Sequence, residues 1–180
     1  MHPLAGYSTD HRYPIGPPSL SELGPDARRQ AIQAIAQLPE HLRLALDGLD
    51  PAQLDTPYRD GGWTLRQLAH HVADSHLNAY LRLRLALTED WPVIKPYNEA
   101  LWAELPDART LPVEVSLDLL TPLHARWVTL LGALDQPSWL RGYAHPEKGR
   151  TTIESMTALY SWHSRHHTAH VLALRARKGW

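Results

Sequence analysis

Met156-Thr157-Ala158-Leu159-Tyr160-Ser161-Trp162-His163-Ser164-Arg165-His166-His167-Thr168-Ala169-His170-Val171-Leu172-Ala173-Leu174 carries one stripe at helical spacing: Met156, Leu159, Tyr160, His163, His167, His170 and Leu174. The stripe begins and ends apolar, so it predicts a helix with this face turned inward. Its middle third is histidine. His163 and His167 stand at i and i+4, which sets their Cβ atoms about 5–6 Å apart on one face. Two imidazoles so placed reach one divalent ion through nitrogens at about 2.0–2.1 Å. His166 falls off the stripe and is expected to face solvent or to stand behind a ligand.

Three more helices are predicted around this one, which itself spans about 151–177. The first covers about 25–48, with Ala31, Ile32, Ile35, Leu38, Leu42 and Leu46 inward; Pro39 is expected to kink or divide it. Asp50-Pro51 reads as an N-cap and first residue of a short extra turn. The second covers about 64–87, capped by Thr64, with Leu65, Leu68, Ala69, Val72, Ala79, Leu83 and Ala86 inward. Leu77, Leu81 and Leu85 lie on another of its faces, which points to a second neighbour or an oligomer contact. The third covers about 113–134 through Leu117, Leu120, Leu123, Trp127, Leu130, Leu131 and Leu134, with a bend expected at Pro122. Thr151-Thr152-Ile153-Glu154 fits a capping box for the fourth. A long connection over 88–111 holds a short helix around Asn98–Glu104. No segment alternates convincingly at period two. The expectation is an all-α, four-helix bundle over residues 21–180, with an extended Pro- and Gly-rich arm at 1–20 and one long crossover connection.

Composition narrows the chemistry. The 180 residues include twelve histidines and no cysteine, which rules out disulfides, a cysteine nucleophile and thiolate ligands. The formal net charge of −1 gives no basic field for a nucleic-acid backbone. No stretch approaches a signal-peptide core or the roughly 20 apolar residues of a membrane span. Phe is absent while Trp and Tyr number seven each, so every aromatic carries a polar handle. His-Glu-x-x-His, Gly-x-Ser-x-Gly and Walker patterns are all missing.

A second histidine group, His70-His71-Val72-Ala73-Asp74-Ser75-His76, supplies the third ligand of a catalytic-type site, three protein ligands with an open position. By helical angle His76 lies nearest the apolar stripe of its helix, with His71 to one side and His70 further round. His76 is also five residues, about 7.5 Å, deeper along the axis than His71. Periodicity alone selects His76 and leaves the axial level open. Asp74 could orient an imidazole or be a solvated acid.

At these residues the chain resembles the DinB/YfiT-like family, and most closely its YfiT branch. The resemblance runs from Tyr13-Pro14-Ile15-Gly16 to Gly179-Trp180. It is most specific over Leu54-Asp55-Thr56-Pro57-Tyr58-Arg59-Asp60-Gly61-Gly62-Trp63-Thr64, His70 to His76, and Tyr160-Ser161-Trp162-His163 through His167 and His170. It implies a helical bundle with a three-histidine metal site whose ligands are His71, His163 and His167, so on this ground His71 replaces His76. It further implies one divalent ion per chain, zinc first and nickel second, a cytoplasmic homodimer, and a small-molecule substrate. Two activities follow for such an enzyme: metal-dependent hydrolysis, or S-transfer of a low-molecular-weight thiol of the bacillithiol type. Any such thiol is a cosubstrate, since the chain has none. A non-catalytic metal- or small-ligand-binding stress protein is the alternative. No residue is marked as the general base; His76, Asp74, His170 and Arg59 are candidates.

Overall fold

A computed structural model describes residues 8, 10–19 and 23–180; the rest of the expected arm lies outside the described residues. Seven α-helices and one hairpin follow in order: α1 Pro25–Leu46, α2 Pro51–Leu54, α3 Leu65–Thr88, α4 Glu99–Trp102, α5 Pro106–Thr110, α6 Val113–Gly132, β1 Gly142–His145, β2 Gly149–Thr152 and α7 Ile153–Lys178. The four long helices form the bundle. α1 packs on α7 and α6, and α3 packs on α6 and α7, so the four run α1–α7–α3–α6 around the ring. No helix among the described residues is long and apolar enough to cross a membrane.

Local chemistry sets the helix ends. Asp50 and Thr64 each form a full capping box, with Gln53 and Gln67. Gln67 also donates to the Ala103 carbonyl at 2.8 Å and so ties the long connection to α3. Gly179 closes α7 at φ 73, a conformation glycine adopts without strain. α1 continues through Pro39 and α6 through Pro122 without a break; neither proline divides its helix.

The expected capping box at the start of α7 is displaced by one residue. Thr152 is the N-cap and its hydroxyl accepts from the Ser155 N–H at 3.1 Å. Glu154 is instead buried and paired with Arg28 of α1 at 2.6 Å. The reason is the hairpin, which the sequence reading did not foresee: Thr151 belongs to β2, where it pairs with Tyr143. Strands of four residues are too short to show a period. Their pairing is completed from outside, because Ala144 accepts from Ile94 N–H at 3.1 Å and donates to the Pro92 carbonyl at 2.9 Å. The long connection likewise holds α5 beyond the one short helix expected there, α4.

The apolar core falls into two halves. One joins Leu38 to Leu46 of α1, Leu65 to Ala73 of α3, Val113 to Leu120 of α6, and Val171 and Leu174 of α7. The other joins Ile35, Ala79 to Ala86, Leu123 to Leu131, and Ile153 to Tyr160. In α3 and α7 the residues between the halves include His76 and His163 to His170, and His124 of α6 adjoins them from the edge of the second half. The histidines form a polar waist across the bundle. Along the arm, Gly16 accepts from the indole N–H of Trp162 at 3.0 Å, which fixes that segment against α7.

Gly142 marks where the hairpin is tightest. A Cβ there would meet the Thr151 carbonyl and stand 2.8 Å from Trp91 Cζ3, whereas nothing lies within 4 Å of a Cβ at Gly132. Gly142→Ala is expected to lower the unfolding free energy by about 1–3 kcal/mol in urea titrations, and Gly132→Ala to leave it unchanged or raised. Equal stability of the two variants would contradict this packing.

Candidate metal centre

α3 and α7 pack side by side and bring three imidazoles together. His71, His163 and His167 each offer one nitrogen, and these nitrogens lie within 4.8 Å of one another. The Nε2 atoms of His163 and His167 are 3.2 Å apart. Two nitrogens bound at 2.0–2.1 Å to one tetrahedral ion would be separated by about 3.3 Å. The ring of His71 lies 5.1 Å from that of His167 and 5.6 Å from that of His163. Its other side rests on the Trp63 indole at 4.5 Å. The donor set is three nitrogens with no carboxylate, which suits a borderline-soft divalent ion.

Burial keeps these rings neutral, so their lone pairs are free. It pushes His71 down to about 4, and His163 and His167 well below the usual imidazole range, with neighbouring imidazoles adding to the effect for the latter two. His167 Nδ1 is buried without a hydrogen-bond partner.

The other histidines divide by role. His76 is fully buried but stands behind His163: its Nε2 lies 3.0 Å from His163 Nδ1. The angular reading was therefore right that His76 faces inward, and the axial step from His71 decides which ring joins the trio. His70 is bonded to Ser116 Oγ at 2.7 Å and to the Leu111 carbonyl at 3.2 Å, a helix-packing role. Of the two placements expected for His166, facing solvent or standing behind a ligand, the first does not hold: it is buried and stacked on Trp162 at 4.1 Å, because the arm and Trp162 cover it. With His167 and His170 it forms a second group of nitrogens within 4.8 Å. His170 packs on Tyr58 at 4.2 Å, and among the described residues neither of its nitrogens makes a full hydrogen bond, although the backbone of His11 and Arg12 lies close to the ring. Asp74 is half-buried and pushed up to about 6 by burial. Among the described residues it makes no hydrogen bond to a histidine.

One residue of the histidine layer is not singled out by the sequence. His124 of α6 is buried, and its Nε2 lies 3.0 Å from His76 Nδ1. The signal was present, since His124 continues the Leu117-Leu120-Trp127 stripe at spacings of three and four.

The trio opens on a cavity of about 630 Å³. Arg12, Arg59, Arg82, Lys148 and Arg150 line it against one acid, Glu99. Tyr58, Trp63, Tyr143 and Tyr160 supply aromatic wall.

The pH dependence of stability follows from the waist. In the histidine layer seven buried rings and the half-buried His163 have folded values below the unfolded 6.5, among them His71, His124 and His166 at about 4. Between pH 6.5 and 4 the unfolded chain binds more protons, so their contribution is complete above 6.5 and lost as pH falls toward 4. Asp74, raised to about 6, opposes this as a single group. Chelator-treated protein is expected to lose at least about 1.4 kcal/mol of unfolding free energy across that window, measured by urea denaturation. A flat profile would show that the rings are not held neutral.

The chain is similar to known proteins over most of its length. The DinB superfamily model matches residues 26–171. A Bacillus mycoides protein and a Bacillus cereus protein, both named "Putative metal-dependent hydrolase", are each 51% identical over 172 residues, covering 95% of this chain and 99% of theirs. YfiT from Bacillus subtilis, described as a probable metal-dependent hydrolase with an unusual four-helix bundle topology, superposes with a TM-score of 0.91 at 45% identity, over 96% of this chain and 99% of its own. The four-helix bundle protein TT2238 shares the fold at a TM-score of 0.54 and 23% identity, over 85% of this chain and 99% of its own. With a family model spanning most of its length and relatives at half identity, this chain belongs to the DinB superfamily.

Proposed function

We propose that this chain is a metal-dependent enzyme acting on a small anionic substrate, with one divalent ion, zinc first and nickel second, held by His71, His163 and His167. The carrying observation is the convergence of three neutral imidazoles, two buried and one half-buried, from two helices onto one point at the wall of a large cavity. The names of the relatives support the same reading. Bound there, an ion supplies Lewis acidity, which activates a water or a thiol near neutral pH.

The chain's own residues do the rest. Five cationic side chains around the cavity favour anionic groups and hold them by charge-assisted hydrogen bonds. Trp63 packs on His71 and limits water beside that ring. Hydrolysis is the chemistry the relatives' names support. Transfer of a low-molecular-weight thiol is the finer alternative, and the cationic cavity suits an acidic thiol cosubstrate equally well. The absence of cysteine agrees with a cytoplasmic location. A homodimer belongs to the same reading. It is supported by Leu77, Leu81 and Leu85, which leave an apolar stripe exposed along α3.

Elemental analysis is expected to find about one divalent ion per chain. His71→Ala, His163→Ala and His167→Ala should each fall well below that while the helical circular dichroism persists. If His76→Ala empties the protein and His71→Ala does not, the ligand set is wrong. Ester, amide and thiol-conjugation assays of the loaded protein separate hydrolysis from transfer. Turnover by protein shown to be metal-free, or none in any assay by loaded protein, would remove the metal-enzyme reading. Light scattering should return roughly twice the 20.4 kDa chain mass; a monomer across micromolar concentrations would exclude the dimer.

A further inference from the structure

Pro39 has no N–H, so the carbonyl four residues earlier in α1, that of Ile35, loses its helical partner. His124 takes that place, with Nδ1 2.6 Å from the Ile35 oxygen. A carbonyl can only accept, so the proton sits on His124 Nδ1. A neutral ring protonated there carries its lone pair on Nε2. Facing that lone pair at 3.0 Å is His76 Nδ1, which must therefore donate. The lone pair of His76 then lies on Nε2, 3.0 Å from His163 Nδ1, which must donate in turn. His163 is left with an unprotonated Nε2, the atom that faces His167. His76 and His124 are 0% and 1% exposed, and neither has a carboxylate among its hydrogen-bond partners. Both are neutral, because an unpaired buried charge is too costly. The opposite polarity would need the Ile35 carbonyl to donate.

We propose that Pro39, His124 and His76 form a positioning chain that sets the tautomer of His163 and presents its Nε2 lone pair to the metal. The inference rests on the metal reading above and adds three residues that do not touch the ion. A free neutral imidazole favours the proton on Nε2, the tautomer that blocks this nitrogen. The chain reverses that preference before any ion arrives. Among the described residues nothing comparable acts on His167, whose Nδ1 has no partner. The hydrogen bond at one ring nitrogen governs which other nitrogen can ligate. Here that hydrogen bond is relayed through two further rings to a backbone oxygen freed by a proline.

The direct test is two-bond ¹H–¹⁵N correlation spectroscopy of the histidine rings in the full-length, chelator-treated protein at neutral pH. His124, His76 and His163 are all expected to carry the proton on Nδ1. Finding His163 protonated on Nε2 would overturn the proposal, whatever the variants do. In parallel, zinc affinity is measured by competition with a chromophoric chelator. His124→Phe, which keeps the ring shape but has neither donor nor acceptor, should weaken zinc binding about 10–100-fold and shift the His163 ring signals toward the Nε2-protonated form. His124→Gln, which restores an acceptor for His76, should recover affinity and tautomer together. A folded His124→Phe with wild-type affinity and tautomer would also overturn it. If His124→Phe does not fold, the wild-type spectrum alone decides. The two readings fail separately: wild-type protein that takes up no zinc removes the metal site while its ring signals still report the chain, and zinc binding with the wrong His163 tautomer removes the chain alone.

Discussion

Every nitrogen in a buried imidazole must find a partner or bear the cost of having lost water, and this bundle places a layer of imidazoles across its middle. The two apolar halves of the core supply the burial energy that holds the four long helices together. The waist between them decides how the helices are aligned along their axes. His76 meets His124 and His163 at 3.0 Å, so α3, α6 and α7 are held at one level by hydrogen bonds that tolerate little sliding. α1 joins the same layer through the Ile35 carbonyl. A purely aliphatic waist would allow neighbouring registers; a line of rings with alternating donors and acceptors does not.

The layer has two sides with different character. Toward α6 its nitrogens are satisfied in a continuous line from a backbone oxygen to His163. Toward the cavity several are not: among the described residues His166 Nδ1 and His167 Nδ1 are buried without partners, and the nitrogens of His170 make no full hydrogen bond. Well-packed interiors leave few such atoms, so their concentration beside the cavity indicates a site adapted to something other than stability. The aromatic packing around them fits this. Trp63 on His71, Tyr58 on His170 and Trp162 on His166 fix the ring planes without occupying the nitrogens.

The elements outside the bundle serve the same region. The hairpin brings Tyr143, Lys148 and Arg150 to the cavity, the arm brings Arg12 and Tyr13, and the loop before α3 brings Tyr58, Arg59 and Trp63. A rigid scaffold with loops gathered around one mouth is the usual way a fold positions the side chains of a site. Four of the five cationic side chains at this mouth, Arg12, Arg59, Lys148 and Arg150, come from these elements, and Arg82 comes from α3.

Much of this was legible in the sequence. The stripes of the four long helices, the caps at Asp50 and Thr64, and the i, i+4 pair His163–His167 all follow from local chemistry, in which residue spacing fixes angle around a helix axis. Other features were not. The hairpin strands are too short to show a period and depend on Pro92 and Ile94 for partners. Glu154 could cap a helix or pair with Arg28, and only the position of α1 chose. His71 and His76 both turn toward α7, and periodicity, which encodes angle but not height, could not tell which joins His163 and His167 and which stands behind. The resemblance named His71; the physical reason is the relative axial placement of α3 and α7, set by packing along their whole length. His124 and Pro39 mean little one at a time, because the first acquires its role from a carbonyl in another helix and the second by leaving that carbonyl free.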